Sequence, residues 1–163
     1  MKEVTCAMAF YRRGDEVLVA MKKRGHAPGK YHAIGGKLEP NESYEQALAR
    51  ESREEIGVRP MNYWAVAELD YMKPDGDEPW HIYHRVYLCD EWEGEPADIE
   101  AMTPEWFKLE QVPYDMMWPD NEYWLPQVLA GNKVYGEFTY DKDENLIAHN
   151  VEIVEQLPSE VIS

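Results

Sequence analysis

Apolar residues alternate or run together in short blocks over most of the chain, and each block stops at a turn-forming cluster. Val4 to Phe10 reads as a strand, Arg13-Gly14-Asp15 as a turn and Glu16 to Lys22 as a second strand, so the chain opens with a predicted hairpin. Gly25 to Gly36 holds four glycines and a proline and is predicted to be loop. The pattern then changes to helical spacing. Asn41 and Ser43 are both suited to start that helix, Ser43-Tyr44-Glu45-Gln46 fits a capping box, and Gly57 after Ile56 fits its end. Tyr63 to Met72 and Trp80 to Leu88 are predicted strands joined over Pro74-Asp75-Gly76-Asp77. Glu91 to Glu100 is acidic and predicted to be an exposed loop, and Glu105 to Leu109 a short strand. Asp120 to Ala130 reads as a second helix, in which Pro126 should produce a kink or mark a late start. Val134 to Tyr140 and Leu146 to Val154 form a closing hairpin over Asp141-Lys142-Asp143. The pattern predicts one α+β domain over residues 1–163, with a mixed or antiparallel sheet and two helices.

Composition narrows what such a domain can bind. Sixteen lysines and arginines stand against 32 aspartates and glutamates, a formal net charge of −16. A nonspecific nucleic-acid binder needs basic surface to displace counterions, and an anionic membrane repels an acidic protein, so both partners are disfavoured. Hydrophobic residues make up 44%, enough for a core and too many for a disordered chain. Cys6 and Cys89 both fall on predicted strands without metal-ligand spacing, and are expected to be buried free thiols. With no apolar run long enough to span a bilayer and no secretory signal in Met1 to Thr5, a cytoplasmic protein is expected.

The chemistry-bearing stretch is Gly36 to Val58. On a helix of 100° per residue, Glu51, Glu54 and Glu55 fall within an arc of about 100°. Three carboxylates so close repel one another unless they face water or hold a cation. Gly35-Gly36 upstream would let backbone approach a ligand closely, and Arg50 stands where it can pair with a glutamate and orient it. Hard oxygen ligands suit magnesium, which commonly shares the phosphate oxygens of a substrate.

This stretch resembles a complete Nudix box: Gly36, five residues, Glu42, seven residues, Arg50-Glu51, then Glu54-Glu55, Gly57 and Val58. Seven fixed positions match by chance on the order of 10⁻⁸ per start point at average residue usage, so coincidence is excluded. The one departure is Ser52, where an aliphatic residue is usual. The resemblance implies a Nudix fold, a mixed sheet sandwiched by helices, and Mg²⁺- or Mn²⁺-dependent hydrolysis of a nucleoside diphosphate linked to another group. It also implies Gly35, Glu51, Glu54 and Glu55 as metal ligands, Glu54 or Glu55 as the base for the attacking water, and Arg50 as their orienting partner.

Beyond the box the chain is similar to the MutT-like group that acts on oxidised purine nucleoside triphosphates. Met21-Lys22-Lys23-Arg24-Gly25, Trp106-Phe107, Met117-Trp118-Pro119-Asp120, Tyr123-Trp124 and the hairpin at Gly136 carry that similarity. It implies a purine pocket in which Trp118 stacks on the base and Asp120 and Asn121 read its edge. Without the resemblance, Trp118 is an ordinary core residue and Asp120 a helix cap. Lys22 is implied near the triphosphate, and Thr5 on the pocket floor. The group has asparagine in place of His32, phenylalanine in place of His26 and a second aspartate in place of Asn121, and all three positions contact the base. The group's auxiliary metal-binding glutamate aligns with Ala101, and Glu100 beside it is expected to take its role. The function implied is sanitation of the nucleotide pool, in support of DNA repair, by a monomer that releases nucleoside monophosphate and pyrophosphate. Of the modified purines, 8-oxo-dGTP leads. The alternatives are Nudix hydrolysis of ADP-ribose, a dinucleotide or O6-methyl-dGTP, and a non-catalytic nucleotide-sensing module.

Overall fold

The computed structural model describes residues 1–24, 28–99 and 102–161. Nine strands form one mixed sheet: β1 (Lys2–Arg13), β2 (Glu16–Lys22), β3 (Tyr31–His32), β4 (Ile34–Lys37), β5 (Arg59–Lys73), β6 (Trp80–Glu93), β7 (Met102–Lys108), β8 (Lys133–Tyr140) and β9 (Leu146–Val154). Helix α1 (Tyr44–Ile56) follows β4, and α2 (Asn121–Leu129) precedes β8. The central path runs β3-β2-β1-β6-β5-β8-β9, with β4 also paired to β1 and β7 to β2. The β1–β6 and β5–β8 pairs are parallel and the others antiparallel.

Alternation along β1 decides what each face holds. Ala7, Ala9 and Tyr11 pack with Leu18 and Ala20 of β2 under Ala47, Leu48 and Ile56 of α1. Phe10 faces the other way, with Val17, Val19 and the α2 residues Trp124, Leu125 and Val128. The sheet is therefore covered by a helix on each face, as the Nudix resemblance implies. Leu48 and Ile56 are wholly buried, so truncating either to alanine costs about 2–5 kcal/mol.

Local chemistry sets the ends of α1. Ser43 Oγ accepts the Gln46 N–H at 3.1 Å, and Gln46 Oε1 accepts the Ser43 N–H at 2.9 Å, closing the capping box. Asn41 is not the cap; it takes a left-handed turn conformation with φ 66°. Gly57 ends the helix at φ 75°, its N–H directed to the carbonyls of Arg53 and Ser52. Ser52 lies on the buried face, and its hydroxyl meets the Tyr11 hydroxyl at 2.5 Å. That contact accounts for the polar residue inside the apolar pattern of the box.

Three expectations need correction. The second half of the glycine-rich stretch is not loop, because β4 pairs with β1 from Cys6↔Lys37 to Ala9↔Ile34 and β3 pairs with β2. Glu91 to Glu93 continue β6 against Arg59 to Asn62 rather than starting a loop. Helix α2 begins at Asn121 and runs through Pro126 to Leu129, so Pro126 does not mark a late start; its carbonyl accepts the Ala130 N–H. Cys6 and Cys89 are buried free thiols, as expected.

Candidate active site

The site lies where the middle of β1, the β4 glycines, the C-terminal half of α1 and the approach to α2 converge. A cavity of about 340 Å³ opens there. Glu55, Gly35, Gly36, Lys22 and Lys37 line one end; Trp118, Asp120, Asn121, Trp124, Tyr71 and Tyr140 line the other. His32, His84, Cys6, Met8 and Phe10 also contribute to its wall.

At the glutamate end, backbone and carboxylate fit each other closely. The Gly35 N–H donates to Glu55 Oε1 at 2.7 Å. A β-carbon on Gly35 would fall 2.1 Å from the Ala7 carbonyl oxygen, and one on Gly36 would fall 2.8 Å from Glu51 Oε1. A side chain at Gly35 would therefore drive β4 off the β1 backbone, and one at Gly36 would press on the Glu51 carboxylate. Arg50 fixes the surroundings through five hydrogen bonds. Its Nε and Nη2 hold both oxygens of Glu42 at 2.8 and 3.0 Å, Nη1 reaches Glu51 at 2.9 Å and Glu54 at 3.3 Å, and Nη2 also donates to the Lys37 carbonyl at 2.9 Å. One guanidinium thus joins α1 to the end of β4, the geometry for which a planar five-donor fork is suited. It holds Glu42 down at about 2, by direct hydrogen bonding first.

The three helix glutamates do not share one environment. Glu54 is exposed and turned toward Arg50, outside the cavity lining. Glu51 is half-buried, and burial raises its carboxyl above the ordinary range. Glu55 is pushed up to about 8, by burial first and then by the charges of Glu51 and Glu54, with the Gly35 N–H and Lys22 acting in opposition. Among the described residues, no three acidic, imidazole or thiolate groups already converge at metal-ligand spacing. The donor set nevertheless fits a hard divalent cation: two desolvated carboxylates rest on the same Gly35–Gly36 backbone with a third beside them, and Arg50 at Glu51 and Lys22 near Glu55 offset the cost of burying them only in part.

At the other end, burial and hydrogen bonding replace charge. Trp118 packs edge-to-face on Tyr140 at 5.7 Å between ring centres, and the Lys30 ammonium lies 5.5 Å from its ring centre. Asp120 is 2% exposed, and burial raises its carboxyl against the pull of three donors. It occupies the cap position of α2, yet its side chain does not cap that helix. Instead it turns inward to the hydroxyls of Tyr71 and Tyr140 and the indole N–H of Trp124. Asn121 donates its side-chain amide to the Trp118 carbonyl at 3.0 Å. His84 is part-buried at the cavity wall, and burial, then neighbouring His32, lowers it to about 4, so its ring is neutral.

The structure brings Lys22, His32, Gly35, Glu55, Trp118, Asp120 and Asn121 to one cavity. Glu51 and Arg50 stand directly behind it. Thr5 is not there. Strand alternation turns Cys6, Met8 and Phe10 toward the cavity and places Thr5 with the odd-numbered positions on the α1 side, so Cys6 takes the place expected of Thr5. His26 and Glu100 lie outside the described residues. Sequence reasoning missed Tyr71, His84 and Tyr140. The even-numbered alternation Trp80, Ile82, His84, Val86 along β6 is the signal that points His84 inward.

The NUDIX domain model matches residues 1–128, and the chain belongs to that family. It is 32% identical over 141 residues to the oxidized purine nucleoside triphosphate hydrolase of Danio rerio, covering 86% of this chain and 89% of that one. It is 33% identical over 124 residues to the 8-oxo-dGTP diphosphatase of Escherichia coli, covering 75% of this chain and 93% of that one. Among solved structures, a MutT protein from Bacillus halodurans superimposes with a TM-score of 0.78 at 24% identity, over 91% of this chain and 97% of that one, which shows a shared fold.

Proposed function

We propose that this protein is a divalent-metal-dependent pyrophosphohydrolase of modified purine nucleoside triphosphates, with 8-oxo-dGTP the leading substrate. The observation that carries the reading is the joining, in one cavity, of a glutamate–glycine–lysine end suited to phosphates and an indole–carboxylate–amide end suited to a purine. The names of the relatives from Danio rerio and Escherichia coli support the substrate class.

Glu51, Glu54 and Glu55, with the Gly35 carbonyl, would hold Mg²⁺, for which Mn²⁺ can substitute. When bound, the ion would neutralise phosphate charge and lower the pKa of a coordinated water. The chain's own residues do the rest. Lys22 and Lys37 line the phosphate end and offset the charge of the triphosphate. Glu55, at the cavity wall, accepts the proton of the attacking water; Glu54 faces solvent and is the weaker choice for that role. Arg50 keeps Glu51 and the Lys37 backbone in register. Trp118 stacks on the base, while Asp120, Asn121 and His32 border its edge. Water attacks phosphorus, and nucleoside monophosphate and pyrophosphate leave. The protein acts as a monomer on a small molecule in the cytoplasm. Among the described residues no helix is long and apolar enough to cross a membrane.

Steady-state hydrolysis of 8-oxo-dGTP, 2-hydroxy-dATP, O6-methyl-dGTP, dGTP and ADP-ribose with Mg²⁺, with and without a chelator, tests the proposal. The expected result is chelator-sensitive turnover with kcat/KM for 8-oxo-dGTP at least about tenfold above dGTP, the scale of one differential hydrogen bond. Equal turnover of the two, or ADP-ribose as the best substrate, would overturn it.

A further inference from the structure

Asp120 does not enter the cavity as an open carboxylate. Tyr71 Oη donates to its Oδ2 at 2.7 Å, and Trp124 Nε1 donates to the same oxygen at 2.8 Å. Tyr140 Oη donates to its Oδ1 at 2.5 Å and accepts the Asp120 backbone N–H at 3.2 Å. A carboxylate offers about four acceptor positions. Both on Oδ2 are filled and one on Oδ1 is filled, which leaves at most one. Protonation of Asp120 would remove acceptor capacity rather than add it. The clamp is itself rigid: Tyr71 stacks on Phe138 at 5.3 Å between ring centres, and Tyr140 is braced by Trp118. Tyr71 and Tyr140 come from different strands, β5 and β8, so neither position follows from the sequence around Trp118-Pro119-Asp120-Asn121.

We propose that Tyr71 and Tyr140 determine base selectivity by filling Asp120, so that a purine bound in this cavity meets Asp120 through a single N–H. This deepens the proposed function and rests on reading the cavity as the base subsite. The group next to that N–H on the purine edge is read by Asn121. One of its amide hydrogens is committed to the Trp118 carbonyl, which leaves the other to donate and the side-chain oxygen to accept. An edge with two adjacent donors (N1–H and N2–H of guanine or 8-oxoguanine) and an edge with an acceptor beside one donor (N1 and N2–H of O6-methylguanine) then bind with similar strength. An unclamped carboxylate would take both donors of the first edge and discriminate against the second.

The test is equilibrium binding of 8-oxo-dGMP and O6-methyl-dGMP to wild type, Tyr71→Phe and Tyr140→Phe, with thermal melts to show that each variant folds. Wild type is expected to bind the two within about tenfold of each other. Each Tyr→Phe variant, having freed an acceptor position on Asp120, is expected to shift the ratio about tenfold toward 8-oxo-dGMP, the worth of one added hydrogen bond to a charged group. A purely structural role would weaken both nucleotides alike and leave the ratio where it was. An unchanged ratio in the variants that fold, or a wild type that already discriminates more than about a hundredfold, overturns the clamp. If neither variant folds, the wild-type ratio alone decides. If wild type binds neither nucleotide, the base-subsite reading falls and the clamp with it, an outcome distinct from an unmoved ratio.

Discussion

The hydroxyls of Ser52 and Tyr11 form a closed pair between α1 and the first strand, and removing both should cost less than the two single removals added together. Both residues are wholly buried, and the contact is 2.5 Å. Burial drives the Tyr11 hydroxyl far above its ordinary titration range, so the pair is neutral at any working pH. Tyr11→Phe leaves the Ser52 hydroxyl desolvated with its partner gone, and Ser52→Ala does the same to Tyr11; each is expected to cost about 1–3 kcal/mol. In the double variant no orphan remains, so its cost should fall about 1–2 kcal/mol short of the sum of the singles. At this chain length 1 kcal/mol moves the melting temperature by about 2–4 °C. The assay is a double-mutant cycle by denaturant unfolding, with melts in parallel. Single costs that add to within about 0.5 kcal/mol would refute the reasoning, because the two hydroxyls would then not be acting as one unit. Because the pair faces away from the cavity, kcat should stay within a few-fold of wild type.

Other substitutions probe the site itself. Glu55→Gln should lower kcat by about 10²-fold or more, the usual scale for lost acid–base or metal function; near-normal turnover would remove Glu55 from the mechanism. Gly35→Ala places a β-carbon 2.1 Å from the Ala7 carbonyl at φ 149°, so β4 must shift; lowered melting temperature with lost hydrolysis is expected, and a crystal structure would show the displaced strand. Glu42→Gln should weaken the tie between Glu42 and Arg50, and its cost should depend on pH. The Glu42 carboxyl is depressed from 4.5 to about 2 by Arg50, so its contribution is present above 4.5 and lost as pH falls through 2. Wild-type and Glu42→Gln melting temperatures, apart at pH 7, should therefore converge between pH 4.5 and 2.

What the chain revealed in advance was what local rules control. The capping box of α1, its Gly57 stop and the period-two strands obey short-range chemistry, and they stand as read. Strands β3 and β4 were hidden because Tyr31 to Lys37 has little strand propensity of its own; pairing with β1 and β2, distant in sequence, makes it strand. Thr5 was misplaced for a related reason. In a strand, a one-residue error in register exchanges faces, and a family likeness does not fix register to one residue. The helix glutamates were legible as a group, but their different exposures were not, since these depend on Arg50 drawing Glu54 outward and on Gly35 drawing Glu55 in. The tyrosines around Asp120 required knowing that β5 and β8 are neighbours in the sheet, running parallel from Ala67↔Val134 to Met72↔Thr139.

The net charge of −16 is reconciled with an anionic ligand by distance and screening. At physiological ionic strength exposed charges interact over about 8 Å, so a triphosphate in the cavity responds to its near neighbours and little to the remote acidic surface. Those neighbours are not uniformly acidic. Lys22 and Lys37 line the cavity beside Glu55, and Lys30 lies over Trp118. Arg50 already engages Glu42, Glu51 and Glu54, so part of the carboxylate charge beside the cavity is matched before any ligand arrives. The carboxylates that Arg50 leaves least compensated are Glu55 and the second oxygen of Glu51, the place where the proposed divalent cation would supply the balance. A polymer with many phosphates would extend beyond this lysine-lined cavity onto acidic surface and gain nothing there. The same charge distribution is therefore compatible with one short polyphosphate.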